Sequence, residues 1–200
     1  MTICDFHKTL FIKSAAEWEH LPNNPIIEIA FAGRSNAGKS SAINTITGLS
    51  KLAKTSKMPG RTQLINYFKL HESLYLVDLP GYGYAKVPEA VRERVQRMLG
   101  RYILERAALY GLVVVMDSRH PLKENDRIVI DWALERDIAV HLLLTKADKL
   151  SHQQAQETKR AVEKTFVEHR DQISVQLFSS LKKQGVEEAR AWIAQWIKEP

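Results

Sequence analysis

Short apolar runs alternate along this chain with longer stretches in which apolar residues recur every three or four positions. The short runs, near 26–32, 64–70, 74–79, 112–117, 139–144 and 173–178, predict strands. The longer stretches, near 39–48, 88–108, 123–136, 152–169 and 186–198, predict helices. Strands separated by helical crossovers imply an α/β fold, a doubly wound, mostly parallel six-stranded sheet with helices on both faces. One connection differs: His71-Glu72-Ser73 is too short for a crossover helix, so 64–70 and 74–79 form an antiparallel pair and one edge strand runs against the others. Residues 1–25 are mixed in character and end in Pro22-Asn23-Asn24-Pro25, which reads as a lead-in to a single domain over 26–200. Within that lead-in, Ser14-Ala15-Ala16-Glu17 suggests a capping box for a short helix carrying Trp18.

Composition narrows the classes. A chain of 200 residues is long enough to bury a substantial core in one domain. Its single cysteine, Cys4, excludes an internal disulfide. No basic leader precedes an apolar core and no run approaches a membrane span, so a soluble, cytoplasmic protein with no membrane partner is expected. The formal net charge of +6 favours polyanionic partners. Nothing points to DNA, and a monomer is expected.

The candidate chemistry begins where the first predicted strand ends. Gly33-Arg34-Ser35-Asn36-Ala37-Gly38-Lys39-Ser40 fits the phosphate-binding P-loop pattern G-x-x-x-x-G-K-[ST]. A buried strand feeding a glycine loop and then a helix turns several main-chain N–H groups and the helix dipole toward one anion. Lys39 would add a point charge on the terminal phosphates, and Ser40 a direct ligand for Mg²⁺. Asp78-Leu79-Pro80-Gly81 follows a strand, which places a carboxylate for Mg²⁺, through water, and a Gly81 N–H for the terminal phosphate. Between them, Pro59-Gly60-Arg61-Thr62-Gln63 lies in a polar stretch with Lys51, Lys54 and Lys57. Thr62 there could close over Mg²⁺ only when a third phosphate is present, which would make a switch. Thr145-Lys146-Ala147-Asp148 follows the fifth predicted strand. A carboxylate such as Asp148 accepts from both N1–H and the exocyclic amine of guanine, a donor pair that adenine lacks, so GTP is the expected nucleotide. The stem of Lys146 would lie over the base, and Phe178-Ser179-Ser180 would add backbone and hydroxyl contacts, although two serines after a strand are also an ordinary turn.

In order and spacing these segments reproduce the signature motifs of the translation-factor-related GTPases. Gly33 to Ser41, Pro59 to Gln63, Asp78-Leu79-Pro80-Gly81-Tyr82-Gly83-Tyr84-Ala85 and Thr145-Lys146-Ala147-Asp148-Lys149 resemble the EngB group (also called YihA or YsxC) of the TrmE-Era-EngA-EngB-septin-like GTPases. Arg119-His120-Pro121-Leu122 and Phe178-Ser179-Ser180-Leu181-Lys182-Lys183 are also similar to that family. The resemblance runs from about residue 26 to the C-terminus. It implies GTP/GDP and Mg²⁺ binding, slow GTP hydrolysis, and a role in assembly of the large ribosomal subunit through its rRNA and proteins, with cell division and septation affected as a consequence. Lys39, Thr62 and Gly81 would then carry hydrolysis.

Two departures from the commonest GTPase pattern matter. Tyr82 stands where many relatives have the glutamine that orients the attacking water, and an aromatic ring cannot do that, so intrinsic hydrolysis should be slow. Thr145 replaces the usual asparagine and should shorten the reach to the loop and to guanine N7. Asn36 opens two alternatives: holding K⁺ near the phosphates, as in MnmE-like GTPases, or tolerating a tight turn.

The remaining features divide between surface and core. Arg94, Arg97 and Arg101 fall within about 60° on a helical wheel, beside Val91, Val95, Met98 and Tyr102. The row could meet rRNA phosphates, or be a solvated face diluted by Glu89, Glu93 and Glu105. Trp192 and Trp196 read as core. The histidines, His141 included, show no zinc spacing. Gly81-Tyr82-Gly83 lacks the third glycine of a dinucleotide fingerprint. Two rivals remain, a P-loop kinase or ATPase and a nucleotide-binding module without catalysis.

Overall fold

β2 (Ile27–Gly33) is buried at every position, so it must be covered on both faces, and the rest of the chain is arranged to do that. The computed structural model describes residues 4–23, 27–54, 64–83 and 88–197. Around β2 lie β1 (Leu10–Ala15), β3 (Ile65–His71), β4 (Leu74–Asp78), β5 (Leu109–Asp117), β6 (Ala139–Thr145) and β7 (Ile173–Leu177), in the sheet order β1-β3-β4-β2-β5-β6-β7. Helices α1 (Lys39–Thr47), α2 (Glu89–Glu105), α3 (Glu124–Glu135), α4 (His152–Thr165) and α5 (Val186–Ala194) connect them.

Alternate residues of β2 divide the core. Ala30 and Ala32 face a cluster built with Leu99 and Tyr102 of α2, Ile130 of α3 and Val162 of α4. Ile27, Ile29 and Phe31 face a cluster with Ile43 and Ile46 of α1 and Ile193 of α5. Among the described residues, three helices therefore cover the first face and two the second, the doubly wound arrangement that the strand-helix alternation predicts.

Among the described residues the sheet has seven strands where the hydrophobic pattern predicts six. The additional one, β1, comes from the lead-in and pairs antiparallel with β3, Ala15 opposite Ile65 and Leu10 opposite Lys69. Its inner-versus-outer alternation is weak, with Leu10, Phe11 and Ile12 all exposed, so its strand character comes from pairing with β3 and not from a buried face. The β3–β4 pair is antiparallel as the short His71-Ser73 turn requires, but β1 lies outside it, so the reversed strand β3 is second from the edge. The Ser14–Glu17 capping box does not form. Ser14 belongs to β1 and its hydroxyl donates to Asn66 Oδ1 at 2.6 Å, while Trp18–His20 make only a single 3₁₀ turn.

β2 is also where the topology changes direction, with β4 on one side and β5 on the other. In open α/β sheets the crevice at the carboxyl ends of such strands is the ligand site.

Candidate functional site

Strand register brings the separate motifs to one edge. Phe31 of β2 lies level with Asp78 of β4, Gly33 with Val115 of β5, and Asp117 of β5 with Thr145 of β6. The carboxyl ends of four strands thus present Gly33, Asp78, Asp117 and Thr145 together.

Glycine is needed at the loop's first position because a Cβ on Gly33 would lie 2.7 Å from the Val115 carbonyl oxygen. Asn36 (φ 63°) and Gly38 (φ 97°) adopt left-handed backbone and fold the loop back onto the start of α1, with Ala37 N donating to Arg34 O at 3.0 Å. The first turn of α1 carries no acidic side chain, so its unpaired N–H groups and positive dipole end face no competing carboxylate of their own helix. Lys39 extends from that turn to form an ion pair with Asp78 Oδ1, both side chains nearly buried. Ser40 is half-buried in the same turn and Ser41 exposed. Leu79, Pro80 and Gly81 are buried, and Leu79 N donates to Phe31 O at 3.0 Å, which pins this segment to β2. Gly60, Arg61 and Thr62 lie outside the described residues, as do Lys57, Tyr84 and Ala85.

The base motif is wired to the phosphate loop. The Thr145 hydroxyl lies within hydrogen-bonding reach of Ala37 O and of Met116 O, so the side chain shorter than asparagine still meets the loop. Lys146, itself at φ 57°, donates from Nζ to Asn36 O at 2.8 Å and to Asp117 Oδ2 at 2.9 Å. Asp117 is held in turn by Arg119, Nε to Oδ1 at 2.9 Å and Nη2 to Oδ2 at 2.7 Å, with the Arg119 backbone N–H at 3.1 Å. Those bonds, Arg119's first and then that of Lys146, keep the Asp117 carboxyl well below the usual carboxylate range. Asp117, Lys146 and P-loop residues 34–37 border a cavity of about 200 Å³ that reaches His120 and Asp126.

Asp148 accepts from Ser179 Oγ at 2.5 Å, and this bond is the main reason its pKa is lowered. Ser179 Oγ also accepts from Lys182 N at 3.1 Å, while Ala147 N donates to Phe178 O at 3.1 Å. The two loops are therefore laced together by one hydroxyl and one peptide. Phe178 contributes only its backbone here, since its side chain is fully buried in the core beneath α1 and α5. Ser180 is half-buried beside it.

Sequence reasoning leaves Asp117 and Asp126 without roles and quotes Arg119 only as part of a family-like segment. The signal for Asp117 was present, a carboxylate closing an apolar strand of a parallel sheet. The arginine row on α2 is largely paired: Arg94 with Glu17 at 2.9 Å, Arg97 with Glu93 at 3.3 Å and Arg101 with Glu105 at 3.1 Å. Arg101 also lies over the Trp18 ring, 4.2 Å from its centroid.

Comparison with known proteins identifies the family. A family model described as "50S ribosome-binding GTPase" matches residues 28–146. A probable GTP-binding protein EngB of Coxiella burnetii (strain CbuG_Q212) is 51% identical over 193 residues, covering 96% of this chain and 94% of the relative. Its Escherichia coli O139:H28 counterpart is 51% identical over 199 residues, covering 100% of this chain and 95% of its own. Among solved structures, a probable GTP-binding protein engB superposes with a TM-score of 0.69 at 25% identity, covering 84% of this chain and 97% of that one. Aquifex aeolicus Era bound to GDP and AlF4⁻ superposes at 0.67 with 16% identity, a likeness of fold, covering 88% of this chain and 58% of that one. With a family model over residues 28–146 and near-full-length relatives in agreement, the chain belongs to the EngB family of GTP-binding proteins.

Proposed function

We propose that this protein is a cytoplasmic guanine-nucleotide switch that hydrolyses GTP slowly and acts, in its GTP form, in assembly of the large ribosomal subunit. The observation that supports the reading is that Lys39 of α1 pairs with Asp78 at the end of β4 while Lys146, two residues before Asp148, reaches the phosphate loop at Asn36 O. The amides from Arg34 to Ser41 would cradle the phosphates, and Lys39 would leave Asp78 for the terminal oxygens. Ser40 and Asp78 supply a hydroxyl and a carboxylate, the hard oxygen set that suits Mg²⁺ bound jointly with phosphate, and Thr62 would complete it. When bound, Mg²⁺ would neutralise negative charge on the phosphates. The Gly81 N–H would hold the terminal phosphate. Asp148, its pKa lowered further by the Ser179 bond, would accept both guanine donors while the Lys146 stem covers the base.

The ribosomal part rests on the family description "50S ribosome-binding GTPase" and on the net charge of +6. Tyr82 is buried and supplies no water-orienting amide, which supports a low intrinsic rate. The left-handed backbone of Asn36 gives that residue a conformational task of its own. Equal turnover in K⁺ and in Na⁺ at one ionic strength would remove a cation role there. Direct titration with GTP and ATP tests the nucleotide assignment, and equal affinities would overturn it. Ribosome profiles after depletion test the assembly role, the expected result being a loss of mature large subunits.

A further inference from the structure

Tyr82 replaces a catalytic glutamine, yet the structure gives it specific partners. Its main chain clasps the phosphate loop at two points: Tyr82 N donates to Gly33 O at 3.3 Å, and Ser35 N donates to Tyr82 O at 2.8 Å. Its side chain turns inward, 6% exposed, and the hydroxyl donates to Asp126 Oδ1 at 2.8 Å. Asp126 is 1% exposed and already caps α3, its other oxygen accepting from Lys123 N at 3.0 Å. The next residue continues the docking. Gly83 has φ 73°, and a Cβ there would lie 3.0 Å from Arg34 Nε and 3.6 Å from Asn125 Nδ2. The chain leaving Gly81 is thus pressed between the P-loop arginine and the first turn of α3.

We propose that Tyr82 is a positioning residue of the GTP site: by tying its hydroxyl to Asp126, it fixes the Asp78–Gly81 loop against the phosphate loop so that the Gly81 N–H is aimed at the terminal phosphate. The inference rests on the reading of this site as one that binds GTP. Glutamine at this position acts on the attacking water, whereas Tyr82 acts one residue away, through the main chain. Burial raises the pKa of the Tyr82 hydroxyl, so it stays protonated and available as a donor. Asp126 is itself almost fully buried, so loss of that donor would leave its Oδ1 short of a protein partner.

The consequence is selective. GDP has no terminal phosphate for Gly81 to meet, so loosening the anchor should weaken GTP binding and hydrolysis while sparing GDP. The test uses the full chain with Mg²⁺: titration with GDP and with a non-hydrolysable GTP analogue, and single-turnover hydrolysis, for the parent, Tyr82→Phe, Asp126→Ala and the double variant. Tyr82→Phe should keep GDP affinity within about twofold and lose about three- to tenfold in both analogue affinity and turnover. The double variant should lose no more GTP selectivity than Asp126→Ala alone, because that substitution already breaks the bond to Tyr82. Equal loss of GDP and analogue affinity in Tyr82→Phe would mark a merely structural role and overturn the proposal, as would parental selectivity and turnover. A parent that binds neither nucleotide would overturn the reading of the site itself.

Discussion

Lys146 Nζ sits 2.8 Å from the Asn36 carbonyl and 2.9 Å from Asp117 Oδ2, so a single ammonium joins the base motif, the phosphate loop and the end of β5. Arg119 holds both oxygens of the Asp117 carboxylate. Removing the carboxylate in Asp117→Ala should free both cations and speed release of a fluorescent GDP analogue by about ten- to thirtyfold, the scale of one charge-assisted bond. Arg119→Ala, which leaves Lys146 paired, should give a smaller increase. Stopped-flow displacement measures both, and an unchanged rate in Asp117→Ala would remove the latch.

Asp148 is the candidate selector of the base, held by Ser179. Asp148→Asn exchanges an acceptor for a donor at one oxygen position, so preference should swing from guanosine toward xanthosine nucleotides by at least about tenfold. Competition binding with GDP and XDP reads it directly.

Far from this site, Glu28 is fully buried in β2 and paired with Arg106, which also donates to Pro22 O at 2.6 Å, while the Tyr102 hydroxyl donates to Glu28 Oε2. Glu28→Ala would strand the Arg106 cation and cost about 3–5 kcal/mol. Urea unfolding should show that loss, and any surviving folded fraction should keep its preference for guanine.

His141 is buried in β6, between Ser174 Oγ and Gln176 Oε1, each at 2.7 Å, and stacked on Trp192. Burial lowers its pKa to about 4 from an ordinary 6.5. Between these values the unfolded chain binds a proton that the folded protein refuses, so stability falls as pH drops from about 6.5 to about 4 and is unaffected by this group above that window. The loss is on the order of 3 kcal/mol. Thermal melts from pH 7 to pH 4.5 should show it, and His141→Phe should flatten the slope.

The order of strands and helices was legible because each element is a local pattern: an apolar run, a helical period, or a connection such as His71-Glu72-Ser73 too short to cross over. The turn of the glycine loop into α1 was legible for a related reason. Backbone conformation at Gly33 and Gly38 depends on residue type at fixed spacing.

What the sequence alone determined, then, is the α/β alternation, the doubly wound sheet and the motif set that belongs to a GTPase. Tertiary structure decided whatever depends on partners distant in the chain. β1 is a strand because β3, some fifty residues on, offers it an edge. Arg94 is paired because Glu17 folds back over α2. Tyr82 points inward because Asp126 waits at the start of α3, and Lys146 reaches Asn36 because β2, β5 and β6 lie side by side. Periodicity records which face of an element is apolar, but only the packed sheet sets which side chains from separate elements come within a hydrogen bond of one another.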